Sequence, residues 1–223
     1  MQRVGIIIPS SNVVVEDTLL RHAAQLTLNV RYHIARISVV SVNLDDASVD
    51  QFQETAMNDA LGQLCEAHVD SIVFAGTAGA WLGIDRERAW CDNAQVRTGI
   101  KVTSTTLLAL NALHATGATR IGLVSPFRSD IHQKIIENFE SERISITNSR
   151  FLGLELSRDM ANISTHSIAE LIRDCLDEGC ETVLCFCSNF RGMDACVEVS
   201  ASHQSAILLD SVALTLQAIS PTS

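Results

Sequence analysis

The sequence predicts an α/β protein built from two pseudo-symmetric βαβ-type halves, each with a parallel four-stranded sheet, meeting at a shared active site. Three internal repeats carry that prediction. Asp70-Ser71-Ile72-Val73-Phe74-Ala75-Gly76 matches Glu181-Thr182-Val183-Leu184-Cys185-Phe186-Cys187, residue type for residue type up to the last position. RVGIIIP at Arg3–Pro9 is echoed by RIGLVSP at Arg120–Pro126. Val102-Thr103-Ser104-Thr105, with LLALNAL after it, resembles Leu208-Leu209-Asp210-Ser211 with ALTLQAI after it.

In chain order, each half opens on a short apolar strand stopped by a proline, which cannot donate to the next rung of a ladder. Ser10-Ser11-Asn12 and Arg128-Ser129-Asp130 follow as helix-capping residues, and amphipathic helices are predicted over 13–27 and 130–143. Second strands are expected near 29–39 and 145–154, then helices near 47–67 and 165–178. The runs ending at Gly76 and Cys187 come next as buried parallel strands, each delivering its last residue to a loop. A strand feeding the capped start of an apolar helix closes each half. The halves divide as 1–116 and 117–223, with the last helix expected to pack back on the first half. Ligands of open α/β sheets sit beyond the carboxyl ends of the strands. The loops at 9–12, 76–81, 126–129 and 187–192 are therefore expected around one cleft, with Gly76 opposite Cys187.

Apolar residues make up 47% of the chain and aromatics 4%, the balance of a compact α/β protein rather than a disordered or fibrous one. A formal charge of −10 argues against a nucleic-acid partner, since phosphate binding needs a basic face. RVGIII is too short for a signal segment, and no apolar stretch approaches membrane-spanning length. A cytoplasmic protein without a membrane partner is expected. Cys65, Cys91, Cys180, Cys185, Cys187 and Cys196 fit reduced thiols; they form no CxxC pair and no pattern with histidine, so no metal site is expected. Gly5 and Gly122 open no GxGxxG motif, which leaves a dinucleotide site without support.

PSSN at Pro9–Asn12, AGTAG at Ala75–Gly79, SPF at Ser125–Phe127 and CSNFRG at Cys187–Gly192 resemble the Asp/Glu racemase superfamily, within it the maleate isomerase and arylmalonate decarboxylase branch. The resemblance spans almost the whole chain and implies the Asp/Glu racemase-like fold. Racemases and isomerases of that family carry a cysteine at the end of each paired strand. Here Cys187 keeps the second, and Gly76 replaces the first. Arylmalonate decarboxylase shows the same Gly-Thr and lone cysteine, and holds one carboxylate by backbone and hydroxyl donors while the other leaves as carbon dioxide. The resemblance thus implies Thr77, Ala78 and Ser188 as donors, and Asn12 as a carboxylate ligand by analogy with the isomerases. Pro9, Ser11, Gly76 and Asn189 fall in the same motifs and are taken as substrate-binding. Ala78 and Phe127 stand where the decarboxylase has hydroxyl-bearing residues, whereas PSSN and NFRG look more like the isomerases.

Cys187 is either a small core residue or a catalytic acid; its place at a strand end, before helix-opening N–H groups expected to lower its pKa, favours the second. A thiol protonates a carbanion or enediolate on one face without a cofactor if N–H donors stabilise that intermediate. Two-base racemisation needs an acid on each face, against which Gly76 argues. Asn12 is a helix cap, a carboxylate ligand or both. Phe127 is expected to line an apolar wall, Trp81 and Met160 to pack in the core, and Arg128 to lie on the surface, with Arg191 open. The function expected is a cofactor-independent, Cys187-dependent enzyme on a small carboxylate or dicarboxylate, foremost an arylmalonate-type decarboxylase. A maleate cis–trans isomerase-like or racemase-like enzyme and a non-catalytic carboxylate-binding homologue are the alternatives, and a homo-oligomer stays open.

Overall fold

A computed structural model describes residues 1–25 and 30–219. The end of the predicted first helix, the start of the second strand and the last four residues of the chain lie outside them. The first half runs β1 (Gln2–Pro9), α1 (Val14–Gln25), β2 (Val30–Ile37), α2 (Asp46–Asp50), α3 (Glu54–Glu66), β3 (Ser71–Phe74), α4 (Gly79–Leu82), α5 (Ile84–Thr98), β4 (Lys101–Ser104) and α6 (Thr105–Thr116). The second runs β5 (Ile121–Phe127), α7 (Ser129–Ser141), β6 (Ile146–Leu154), α8 (Ser157–Met160), α9 (Thr165–Asp177), β7 (Thr182–Cys185), α10 (Gly192–Ser200), β8 (Ile207–Asp210) and α11 (Ser211–Ile219).

Two parallel four-stranded sheets result, ordered β2-β1-β3-β4 and β6-β5-β7-β8. The registers correspond: Phe74 pairs with Ser104 at the end of one sheet, and Cys185 with Asp210 at the end of the other. Gly5 and Gly122 occupy equivalent places and share a packing role. A Cβ at Gly5 would lie 3.0 Å from Leu64 of α3, and one at Gly122 would lie 2.9 Å from Cys175 of α9. The missing side chain lets each helix settle close onto its sheet.

Alternation along β1 divides its faces between two cores. Ile7 packs with the main core that runs through both halves, while Val4, Ile6 and Ile8 face a second cluster closed by Val15 and Leu19 of α1 and Val212, Leu216 and Ile219 of α11. The last helix of the chain thus covers a sheet of the first half, and a hydrogen bond of 2.7 Å between the Thr105 and Thr215 hydroxyls ties it to α6. Across the interface α4 lies against α7, where Asn138 Nδ2 donates to the Ala80 carbonyl at 2.8 Å.

Three local expectations change. β5 continues through Pro126 to Phe127, because its ladder with β6 shifts register between Ser125 and Phe127, where an N–H is not required. The helix expected over 47–67 is two: the N–H groups of Phe52 and Gln53 donate to Val49 and Asp50 in a tight turn that drops Phe52 onto Trp81, rings 5.6 Å apart and edge to face. Segments 79–98 and 192–200, which show no clear apolar stripe, are helical.

α5 buries one carboxyl group. Glu87 Oε1 accepts from the Ser104 hydroxyl, and a Cβ at Gly79 would lie 2.3 Å from its carboxyl carbon. Burial pushes Glu87 up to about 6 from its ordinary 4.5, against the opposing hydrogen bonds from Ser104, Thr106 and the Gly79 N–H. The native state therefore holds this proton more tightly than the unfolded chain. Stability from this group is full below about 4.5 and falls as pH rises to about 6, by about 2 kcal/mol. Replacing Glu87 by Gln is expected to remove that slope, seen as a wild-type-minus-variant Tm difference that changes between pH 4 and 7.

Candidate active site

The carboxyl ends of both sheets converge on one narrow hollow of about 390 Å³ including its open mouth. Its walls take Pro9 and Asn12 from the loop after β1, Gly76, Thr77 and Ala78 from the loop after β3, Phe127 from the end of β5, and Cys187, Ser188 and Asn189 from the loop after β7. Gly76 and Cys187 thus border the same space. Ser11 is not part of the wall; its carbonyl accepts from Asn189 Nδ2 at 3.3 Å.

Two segments that the motifs did not point to complete the hollow: Val39, Val42 and Phe52 after β2, and Ser157 beside Met160 after β6. They meet in a short antiparallel bridge, Ser41 opposite Leu156, with Val42 N–H donating to the Glu155 carbonyl at 3.0 Å and Ser157 N–H to that of Val40 at 3.2 Å. The available signal was the repeat itself, since these loops follow equivalent strands. Trp81 and Met160 line the hollow as well as the core.

Asn12 does two jobs. Its Oδ1 accepts from Val15 N–H at 3.1 Å, capping α1, and its Nδ2 donates to Ser188 Oγ at 3.0 Å. Asn189 binds structure more than space: Oδ1 accepts from the Val13 and Val14 N–H groups at 3.0 and 3.3 Å, while Nδ2 donates to the Ser157 carbonyl at 2.7 Å. One side chain therefore ties together the loops after β1, β6 and β7.

Cys187 is buried, and its sulfur meets Asn189 N–H at 3.4 Å and Met160 Sδ at 4.0 Å. Helix-opening N–H groups do not lower its pKa as expected, because α10 begins only at Gly192. Burial instead pushes the thiol up to about 12, with the Asp210 charge adding and the Asn189 N–H opposing. The seventh cysteine, Cys175, lies buried on α9 against Gly122, away from the hollow.

No wall residue is charged. Arg191 reaches the Ala161 carbonyl and Asp17, and Arg128 lies on the surface with Asp130 and Glu155. The polar capacity of the wall is instead neutral. Among the described residues the N–H groups of Thr77, Ala78 and Ser188 have no hydrogen-bond partner, and all three residues line the same hollow as Cys187. Val39, Val42, Phe52, Phe127 and Met160 make the rest apolar. Among the described residues no group of three His, Cys, Asp or Glu side chains is placed to hold a metal ion, and no helix is long and apolar enough to cross a membrane.

The family model of arylmalonate decarboxylase matches residues 4–222. The chain belongs to that family. Solved structures share its fold at low identity. A variant of the maleate isomerase Iso from Pseudomonas putida S16 with maleate superposes with a TM-score of 0.84 at 19% identity, over 97% of this chain and 90% of that one. A liganded double mutant of arylmalonate decarboxylase gives 0.83 at 19% identity, over 98% and 91%. A Nocardia farcinica maleate cis-trans isomerase mutant with a covalently bound succinylcysteine intermediate gives 0.83 at 18% identity, over 98% and 91%. No curated protein sequence matches the chain. The Asp/Glu racemase-like architecture that the resemblance implied is thus the architecture of this family member.

Within that fold, Asn189 is the most heavily bonded side chain of the site. Truncation to Ala strands two N–H donors at the start of α1 and frees the Ser157 carbonyl, each costing about 1–3 kcal/mol when buried. The expected loss for Asn189→Ala is about 3 kcal/mol of unfolding free energy, measured by urea denaturation.

Proposed function

We propose that the protein is a decarboxylase of small 2-substituted malonates, with Cys187 as the acid that protonates the product. One carboxylate sits against the Thr77, Ala78 and Ser188 N–H groups and the Asn12–Ser188 pair. The other faces the apolar wall of Val39, Val42, Phe52 and Met160, where a charge is poorly solvated and its loss as neutral carbon dioxide is favoured. The breaking C–C bond leaves its electron pair on the α-carbon as an enediolate, whose charge the N–H donors stabilise. Cys187 S–H then delivers the proton to that carbon. No electron sink beyond the bound carboxylate is needed.

The observation that carries this reading is the single buried thiol in a hollow lined, among the described residues, by no charged side chain. Addition of a thiolate to a double bond, as in the isomerase reading, would have to begin from the scarce ionised form of Cys187. Carbon dioxide release from a 2-aryl- or 2-alkylmalonate, without conversion of maleate to fumarate, is the expected outcome. Fumarate formation would replace the reading by the isomerase one; tight binding without turnover would leave a carboxylate-binding protein.

Two variants sharpen the test. Cys187→Ser is expected to lower kcat about 100- to 10,000-fold, the cost of losing a general acid, with carboxylate affinity within a few-fold in a titration. A second acid opposite Cys187 needs more than one substitution. A Cβ at Gly76 would lie 2.3 Å from Phe74 Cζ, whereas the equivalent neighbour of Cys187 is the small Cys185. Gly76→Cys alone is expected to destabilise the fold without racemising the product. Adding Phe74→Cys is expected to relieve that clash, while leaving a core cavity, and to bring product racemisation, read as deuterium incorporation on both faces.

A further inference from the structure

We propose that the buried Glu87 carboxyl is the positioning residue of the Thr77–Ala78 donor loop, and that its charge sets how tightly the hollow holds a carboxylate. The inference rests on that loop being the carboxylate site of the proposed reaction. The loop runs between two cavities. Thr77 lines the hollow that Cys187 borders. Ala78 lines that hollow and also a second one, of about 420 Å³ including its open mouth, while Gly79 lines the second alone. Glu87 shares this second cavity with Ala78 and Gly79. It therefore stands behind the donors, on the side away from the thiol.

The contact is with the backbone of the loop. A Cβ at Gly79 would lie 2.3 Å from both the carboxyl carbon and Oε2 of Glu87, and 2.6 Å from Oε1. The carboxyl thus rests directly on the residue that follows Ala78, and only a glycine leaves it room. Oε1 also accepts from the Ser104 hydroxyl, which in turn accepts from Leu107 N–H at 3.2 Å and caps α6. One carboxyl links the loop to α5, to the end of β4 and to the start of α6. The loop is also the first turn of α4. Its Thr77 carbonyl accepts from Ala80 N–H, and its Ala78 carbonyl from Trp81 and Leu82 N–H. The Gly79 N–H favours the charged form of Glu87. That leaves, among the described residues, the Thr77 and Ala78 N–H groups for a ligand.

Neutral or ionised, the carboxyl offers an acceptor to Ser104 and to the loop, so the brace persists in both states. Only the ionised form places a negative charge behind the donors. No wall residue of the hollow is charged, and residues 76–79 are buried. A charge on Glu87 is therefore weakly screened from a carboxylate bound on the other face of the loop. The loop after β7 has no such second state, because the side chain that braces it is the neutral amide of Asn189.

The charged and titratable groups around Glu87 lie mostly toward solvent. Arg86 and Glu54, both exposed, line the same cavity, and Arg86 donates to the Phe52 carbonyl at 3.2 Å. Further along α5, Arg88 pairs with Asp85 and with Glu142, and Cys91 is buried. α3 adds Asp59, Cys65 and Glu66, β4 has Lys101 at its first residue, and α6 has only His114, in its last turn. β3 and α4 contribute none. Burial lifts Glu87 to about 6, and the open mouth of the cavity lets it exchange its proton with solvent. Below that pH the carboxyl is neutral and carboxylate binding is tightest. As pH rises through it, the charge appears and affinity falls to a lower plateau. By linkage, a bound carboxylate raises Glu87 further.

Two measurements on the whole protein test this. Without ligand, the Gly79 amide nitrogen resonance is expected to titrate with a midpoint near pH 6 in the wild type. It is expected to stay flat in Glu87→Gln, which keeps a carbonyl acceptor and carries no charge. The second uses phenylacetate, the carboxylate that 2-phenylmalonate would leave as product. Its wild-type dissociation constant is expected to be about 5-fold larger at pH 8 than at pH 5.5, and equal at the two pH values in Glu87→Gln. Glu87→Ala, which lacks the acceptor as well, is expected to bind about 3-fold more weakly than Glu87→Gln at both. Asp210, the buried carboxyl of the second half, is the same in all three proteins, so the contrast between them reads Glu87 alone. A wild-type pH dependence retained in Glu87→Gln, or a Gly79 resonance that does not titrate in the wild type, would overturn the role of Glu87. Absence of phenylacetate binding at every pH would instead remove the carboxylate reading of the loop, and this inference with it; the Gly79 titration keeps the two failures apart.

Discussion

The side-chain amide of Asn189 is the point at which two similar halves become one site. It holds the start of α1, the Ser157 strap and the Cys187 loop in fixed relation through hydrogen bonds that water would otherwise satisfy separately. Asn12 adds a second tie through Ser188. Loops after parallel strands are ordinarily the most adaptable parts of an α/β protein. Here they are braced across the interface, which fixes the positions of the open N–H donors before any ligand arrives. Preorganised donors of this kind stabilise charge without reorganising as it develops.

That bracing makes a hollow without charged walls workable. A guanidinium among the donors would favour a bound dicarboxylate over the transition state for losing one of its charges, since neutral carbon dioxide departs. In the proposed decarboxylation, backbone N–H groups would hold the retained carboxylate and the enediolate alike, while Val39, Val42, Phe52 and Met160 would give the departing group no favourable partner. Burial pushes the Cys187 thiol up as well. In the proposed reaction the apolar surroundings thus favour both loss of one charge and retention of the acid that completes the step.

Much of the fold was legible because it was written twice. RVGIIIP and RIGLVSP, and the runs ending at Gly76 and Cys187, share both sequence pattern and ladder register. What escaped was what differs between copies or lacks periodicity. α5, IDRERAWCDNAQVRT, carries charge around most of its circumference and shows no stripe, although Trp90, Cys91 and Ala94 are buried. The apolar wall at Val39, Val42, Phe52 and Met160 comes from loops whose sequence holds no motif; only the Ser41–Leu156 bridge reveals that they meet. The thiol's pKa was misjudged because a strand end was equated with a helix start, while four residues lie between Cys187 and Gly192.

The departures from symmetry follow one line through the two sheets. Two residues before the site, Phe74 of the first half corresponds to Cys185 of the second; at the site, Gly76 corresponds to Cys187; at the register-paired strand end, Ser104 corresponds to Asp210. These differences are coupled. A ring at 74 excludes any side chain at 76, so the first half offers only backbone there. A small thiol at 185 leaves room both for the Cys187 side chain and for the Asp210 carboxyl between β7 and α10. The first half has Gly76 where the second has a thiol, and its buried carboxyl group Glu87 accepts from the Ser104 hydroxyl. On the proposed function, the duplicated scaffold assigns anion binding to one copy and proton delivery to the other. Converting either copy to the other's task requires moving a ring, a thiol and a carboxyl together, because each occupies the space the next one needs.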